Sequence, residues 1–161
     1  MGAAPDSTER NETSSSNLPG HERGCRWAEL VLRKPLTALV VDGVTVCRLI
    51  VYHRLESVGV ETKMVGSGQE ALELTEAHYD LILVDRYMHH MSGLETSHQG
   101  FSWQTIRLMR ERGVRTKIVG LTSGELETDR PEMMQAGADD CLEKPLSADA
   151  LARILAEIDR H

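Results

Sequence analysis

From Leu36 onward, short apolar runs alternate with stretches whose apolar residues recur at helical spacing. Leu36–Val41 is a β-branched run that ends at Asp42-Gly43. Val44–Val58 carries Val46, Leu49, Ile50, His53 and Leu55 at roughly helical spacing, and Gly59 stops it as glycine does beyond a helix end. Glu61–Val65 predicts a second strand and Gly68–Ala77 a helix on Ala71, Leu72 and Leu74. Leu81–Val84 is a four-residue buried strand ending at Asp85. Gln104–Arg112 predicts a helix with Ile106, Leu108 and Met109 on its apolar side, and Lys117–Thr122 a fourth strand. Leu126–Ala136 is expected to be helical, with Pro131 accommodated only in its first turn. Cys141-Leu142 predicts a short fifth strand before Lys144-Pro145, and Ala148–Arg160 closes as a helix. Near-continuous apolar strands between amphipathic helices imply an α/β fold, a doubly wound five-stranded parallel sheet covered on both faces.

The first part of the chain has a different texture. Met1–Gly24 is rich in Ser, Glu, Asn, Gly and Pro, too poor in large apolar residues to offset its ordering entropy. Trp27, Leu30, Val31 and Leu32 interrupt it, but a solvated, loosely packed extension is the reading preferred over a docking stub. Residues 1–34 are therefore expected to be a disordered tail, and 35–161 a single folded domain.

In a parallel α/β sheet, ligands bind beyond the carboxyl ends of the strands. The residues there are Asp42, Asp85, Thr122 and Lys144-Pro145. Singly, each has an ordinary explanation: aspartate after a strand usually caps a helix or turn, and a Lys-Pro pair is usually a surface turn. Their joint placement on successive strand ends changes the inference. Two neighbouring carboxylates repel unless a cation separates them, and hard oxygen ligands with room for water suit Mg²⁺. A hydroxyl and a lysine opposite them suit the negative charge of a transferring phosphoryl group. A carboxylate nucleophile, a cation, a hydroxyl and a lysine together describe aspartyl-phosphate chemistry.

Charge and cysteine content narrow the partners. The 161 residues include 18 basic and 25 acidic side chains, for a net charge of −7, which disfavours broad nucleic-acid or anionic-membrane binding. Cys25, Cys47 and Cys141 show no paired spacing and are expected to be free thiols in a reducing compartment. No apolar run approaches the roughly 18 residues a membrane span needs, and no secretory signal is evident. The expected location is the cytoplasm, with the nucleus as a second site.

Five segments in order resemble the response-regulator receiver family. They are Leu39–Asp42, Asp80–Asp85 with Met88 and Gly93, Val119–Ser123, Ala136–Asp140, and Glu143–Pro145. The likeness covers about Leu36 to His161, and its Val119–Ser123 and Cys141–Leu146 segments are most similar to plant type-C response regulators. The resemblance implies a flavodoxin-like strand order of 2-1-3-4-5. It also implies that Asp85 is the phosphoacceptor, Asp42 an acidic-pocket residue, Thr122 the switch hydroxyl and Lys144 the lysine that contacts the phosphoryl group. Mg²⁺ would be held by Asp42, Asp85 and the backbone carbonyl of Tyr87. The implied partner is a histidine-containing phosphotransfer protein in cytokinin-type signalling, with slow hydrolysis and no DNA-binding output domain.

Four departures bear on competence. The family usually has two adjacent acids after the first strand, whereas Gly43 follows Asp42 here, which is expected to weaken Mg²⁺ by roughly tenfold to a hundredfold. His89 replaces the usual proline after Met88, and Cys141 stands where many receivers carry an aromatic residue. The stretch from Gly93 to Gly113 is about nine residues longer than the family norm, which places an inserted loop near 96–104. His89, His90 and His98 fall in or near it, and a solvated loop is preferred there over a metal site. Two readings follow: a phospho-accepting receiver, or a phosphorylation-deficient pseudo-receiver that acts as a protein-binding module. A flavodoxin-like cofactor binder is disfavoured because no Gly-rich phosphate loop follows Val41.

Overall fold

The computed structural model describes residues 26–86 and 102–161. Five strands, β1 (Leu36–Val41), β2 (Val60–Val65), β3 (Leu81–Asp85), β4 (Lys117–Thr122) and β5 (Asp140–Glu143), form one sheet. They alternate with helices α1 (Thr45–Ser57), α2 (Gly68–Glu73), α3 (Ser102–Glu111), α4 (Leu126–Ala136) and α5 (Ala148–Asp159). Every pairing is parallel, in the order β2-β1-β3-β4-β5. The doubly wound sheet expected from the sequence is therefore observed.

Alternation along the strands sorts the core into two layers. Leu39 and Val41 of β1 join Ile82, Val84 and Ile118 beneath Ala71, Ile106, Met109 and Met133, so α2, α3 and α4 cover that face. Ala38 and Val40 join Leu83 and Leu121 on the other face, beneath Val51, Leu55, Leu151 and Leu155 of α1 and α5. Local chemistry sets the helix ends. The Ser67 hydroxyl accepts from Glu70 N–H at 3.2 Å, and the Ser147 hydroxyl accepts from Ala150 N–H at 3.0 Å. Gly59, at φ +88°, turns the chain out of α1 into β2 in a conformation that residues with a Cβ rarely adopt.

Four expectations need correction. Residues 26–34 are packed on the domain: Trp27–Glu29 form a 3₁₀ turn, and Trp27, Leu30 and Leu32 rest on the α1/α5 layer. Their amides find fixed acceptors on α5. Trp27 N–H donates to Asp149 Oδ1 at 2.9 Å, and Arg33 and Lys34 N–H donate to the Asp159 carboxylate at 2.8 and 3.2 Å. Residues 1–25 of the expected tail lie outside the described residues. The end of the expected 96–104 loop is instead the first turn of α3, where Trp103 packs on the core beneath the Arg107 guanidinium, 5.0 Å away. The rest of that loop also lies outside the described residues.

Pro131 sits inside α4 rather than in its first turn. Its missing N–H leaves the carbonyl of Glu127, four residues back, without that bond, and the exposure of Glu127 lets water serve instead. Finally, α1 buries Val51 and Leu55, while Val46 and Ile50 are 64% and 51% exposed and Leu49 also faces solvent.

Candidate functional site

The carboxyl ends of β1, β3, β4 and β5 open onto one crevice. Asp42 follows β1 directly and is 2% exposed. Its Oδ1 accepts from Val44 N–H at 2.9 Å, and its carbonyl accepts from Arg48 Nη1 at 2.7 Å, so the turn into α1 is held from both sides. Asp85 is the last residue of β3 and is 3% exposed. The ladder pairs it with Leu121, which brings Thr122 to the rim one residue later. Lys144 N–H donates to Thr122 O at 2.7 Å, which fixes the lysine beyond the end of β4. The Lys144-Pro145 peptide is cis.

Lys144 closes the site. Its Nζ lies 2.9 Å from Asp42 Oδ2 and 3.3 Å from Asp85 Oδ1. Burial alone would lower its pKa, but the hydrogen bond to Asp42 and the charges of Asp85 and Asp42 outweigh burial and raise it. One ammonium thus stands between two buried carboxylates. Thr122 is fully buried; its hydroxyl donates to Asp129 Oδ2 at 2.5 Å and accepts from Gly124 N–H at 2.9 Å.

The structure thus brings Asp42, Asp85 and Lys144 into contact, with Thr122 beside them. Tyr87, whose carbonyl was expected to complete the metal site, lies outside the described residues, as do His89, His90 and His98. Among the described residues no cluster of three or more His, Cys, Asp or Glu forms a metal cage. Paired carboxylates at the mouth of the sheet still suit Mg²⁺, which takes one or two carboxylates and completes its shell with water. Gly43 offers no side chain to that set.

Sequence reasoning missed Asp129, Arg86 and Glu132. Arg86 follows Asp85 and is 5% exposed, with Nε 3.4 Å from Asp129 Oδ1 and Nη2 3.2 Å from Glu132 Oε2. A signal existed: Asp129, Met133 and Ala136 share the buried stripe of α4, so an acid occupies an apolar-face position. Cys141 is buried with Sγ 3.7 Å from Met133 Sδ, and burial, with help from the Asp129 and Asp140 charges, pushes its thiol up to about 11. A separate cleft of about 570 Å³ opens at the other end of the sheet near His78, Asp80, Arg115 and Glu157, away from this chemistry.

The family model for the response regulator receiver domain matches residues 38–156. The chain belongs to the response regulator receiver family. Two Arabidopsis thaliana proteins are similar over most of their lengths. Two-component response regulator 24 is 36% identical, with 77% of this chain and 84% of that protein covered. Two-component response regulator ARR22 is 33% identical, with 73% and 79% covered. Both agree with the likeness to plant type-C regulators. Among solved structures, the receiver domain of Saccharomyces cerevisiae Ssk1, crystallised with the histidine phosphotransfer signaling protein Ypd1, superimposes with TM-score 0.67 at 22% identity, covering 81% of this chain and 92% of that one. Vibrio cholerae chemotaxis protein CheY4 does so with TM-score 0.66 at 25% identity, covering 78% and 99%.

Proposed function

We propose that this receiver accepts a phosphoryl group on Asp85 from a histidine phosphotransfer protein, in a phosphorelay of the cytokinin type. The observation that carries the reading is the Lys144 ammonium, 2.9 Å from Asp42 and 3.3 Å from Asp85 at the mouth of a parallel sheet. A carboxylate oxygen of Asp85 attacks the phosphorus of a phosphohistidine. The new P–O bond forms as the P–N bond breaks, and the imidazole keeps the electron pair and takes up a solvent proton. Lys144 is already within reach of the oxygens that gain charge, and the Thr122 hydroxyl at the end of β4 would donate to one of them. Held by Asp42, Asp85 and the carbonyl of Tyr87, Mg²⁺ would neutralise charge on the phosphoryl oxygens. Water later attacks phosphorus, releasing inorganic phosphate and the free Asp85 carboxylate, slowly enough for the chain to serve as a switch or phosphate sink.

The partner must bring its imidazole to the crevice, so it must also cover the rim. There the N-cap and the first two turns of α1 expose Val44, Val46, Leu49 and Ile50, an apolar area beside Asp42 suited to a protein surface. The Ypd1–Ssk1 complex supports this choice of partner, since Ssk1 shares the fold. The action is proposed for the cytoplasm and nucleus.

The test is transfer of label from a phosphorylated phosphotransfer protein to this chain, with and without Mg²⁺, alongside Asp85→Asn. Mg²⁺-dependent label that vanishes in Asp85→Asn supports the reading; an unlabelled wild type with ample Mg²⁺ sinks it. The second reading is a pseudo-receiver that binds the same partner without chemistry, and Gly43 favours it because it removes one carboxylate from the pocket. It predicts partner affinity indifferent to Mg²⁺ and to Asp85→Asn, with label restored by Gly43→Asp.

A further inference from the structure

Helix α4 presses on the C-terminal end of β4. Gly120 and Thr122 alternate onto the same face of the sheet. A Cβ at Gly120 would stand 2.5 Å from Met133 Cε and 2.6 Å from its Sδ, so α4 approaches where the strand lacks a side chain. One turn before Met133, α4 presents Asp129, which is 2% exposed. Its Oδ2 accepts the Thr122 hydroxyl at 2.5 Å, and its Oδ1 lies 3.4 Å from Arg86 Nε. Arg86 Nη2 reaches both oxygens of Glu132, at 3.2 and 3.3 Å. The residue after the acceptor, helix α4 and Thr122 are thereby tied into one polar chain, buried at Thr122, Asp129 and Arg86 and exposed at Glu132.

A threonine hydroxyl has a single proton to donate. Here that proton is given to a buried carboxylate, a charge-assisted bond of the stronger kind, while the oxygen accepts from Gly124 N–H. Binding a phosphoryl oxygen on Asp85 requires the same proton. We propose that Asp129 is a positioning residue that holds the Thr122 hydroxyl toward α4 and so opposes phosphoryl transfer to Asp85. Arg86 and Glu132 keep Asp129 in place when the hydroxyl turns away. This rests on the reading of Asp85 as the phosphoacceptor and adds its regulation.

The test uses the full chain with Mg²⁺ and phosphoramidate as donor, so that partner binding does not enter. Asp85 attacks phosphorus, the P–N bond breaks and ammonia leaves, and the acyl phosphate is followed with time. Asp129→Asn keeps the shape but offers Thr122 a weaker, neutral acceptor. Acyl phosphate is expected to form about tenfold faster, the order of one lost hydrogen bond to a charged group. Asp129→Ala removes the acceptor and is expected to act in the same direction, should the asparagine variant fold poorly. In a Thr122→Ala background both substitutions are expected to lose their effect, whereas a merely structural role for Asp129 would act regardless of Thr122. Equal rates in wild type and variants, or acceleration that persists without the Thr122 hydroxyl, would overturn the restraint and leave Asp85 as acceptor. No label on any folded chain would overturn the acceptor role, and the restraint with it.

Discussion

Replacing Lys144 with methionine keeps most of the side chain's length and removes its charge. Two carboxylates, Asp42 and Asp85, would then share a crevice at 2% and 3% exposure without the ammonium that stands 2.9 and 3.3 Å from them. At an effective dielectric near 20 each contact represents about 5–6 kcal/mol of attraction, much of it offset by the cost of burying the charges. Removing one partner from such a group typically destabilises by about 3–5 kcal/mol. For a domain of this size that lowers the thermal midpoint by roughly 10 to 20 °C. The folded pKa of Lys144 is raised, despite burial, by the hydrogen bond to Asp42 and by the charges of Asp85 and Asp42. A raised lysine contributes its full stability below the unfolded value, about 10.4, and loses it as pH rises through the folded value. The gap between wild type and Lys144→Met is therefore complete at pH 7 and closes only in strong alkali. Asp42→Asn added to Lys144→Met relieves the repulsion and recovers part of the loss, as does millimolar Mg²⁺. Scanning calorimetry across pH measures all of this. A variant that melts with the wild type at pH 7, or that Asp42→Asn destabilises further, would refute the account of the crevice as two carboxylates held by one ammonium.

Three further outcomes are expected. Gly43→Asp supplies the missing carboxylate and is expected to tighten Mg²⁺ by roughly tenfold to a hundredfold in titration calorimetry. The Asp159 carboxyl is held below its ordinary value, chiefly by the Arg33 backbone N–H and also by that of Lys34, so its contribution is present above about pH 4 and lost as pH falls through the lowered folded value. Protection of the Arg33 and Lys34 amide protons, measured against their intrinsic exchange rates at each pH, should fall in that acid range, and at neutral pH in Asp159→Asn. With burial raising the Cys141 thiol to about 11, iodoacetamide at pH 8 should label Cys47 well before Cys141 in the folded chain, and both alike in denaturant, as peptide mass analysis would show.

Much of this molecule was legible because strand periodicity and strand ends carry the information. Ala38–Val41 and Leu81–Val84 are apolar throughout since central strands are covered on both faces, and that pattern places Asp42 and Asp85 at adjacent strand ends. Thr122 and Lys144 followed by the same logic. What escaped was decided by competition between faces. Helix α1 has apolar residues on two sides, and composition does not tell which side meets the sheet; the structure chose Val51 and Leu55. Pro131 was constrained by a rule about missing donors, but the bond it forfeits belongs to Glu127, an exposed residue where solvent can replace it. Asp129 was hidden because its partners, Thr122 and Arg86, come from other elements, so only the buried position of an acid betrayed it. Residues 26–34 read as tail because their anchors, Asp149 and Asp159, lie more than a hundred residues away.

Those anchors bear on where the domain begins and ends. The span matched by the family model, 38–156, omits Leu36 and Thr37 of β1, the end of α5, and the whole of the 26–34 segment. Trp27 is tied to the first turn of α5 and Arg33 and Lys34 to its last residue, so the start of the folded region splints the final helix along its length. A fragment trimmed to the matched span would discard the 26–34 segment together with its Asp159 anchor, uncovering the α1/α5 core layer where Trp27, Leu30 and Leu32 rest. For expression, labelling or fusion, a fragment should keep residues 26–34 and the whole of α5 through Asp159 together.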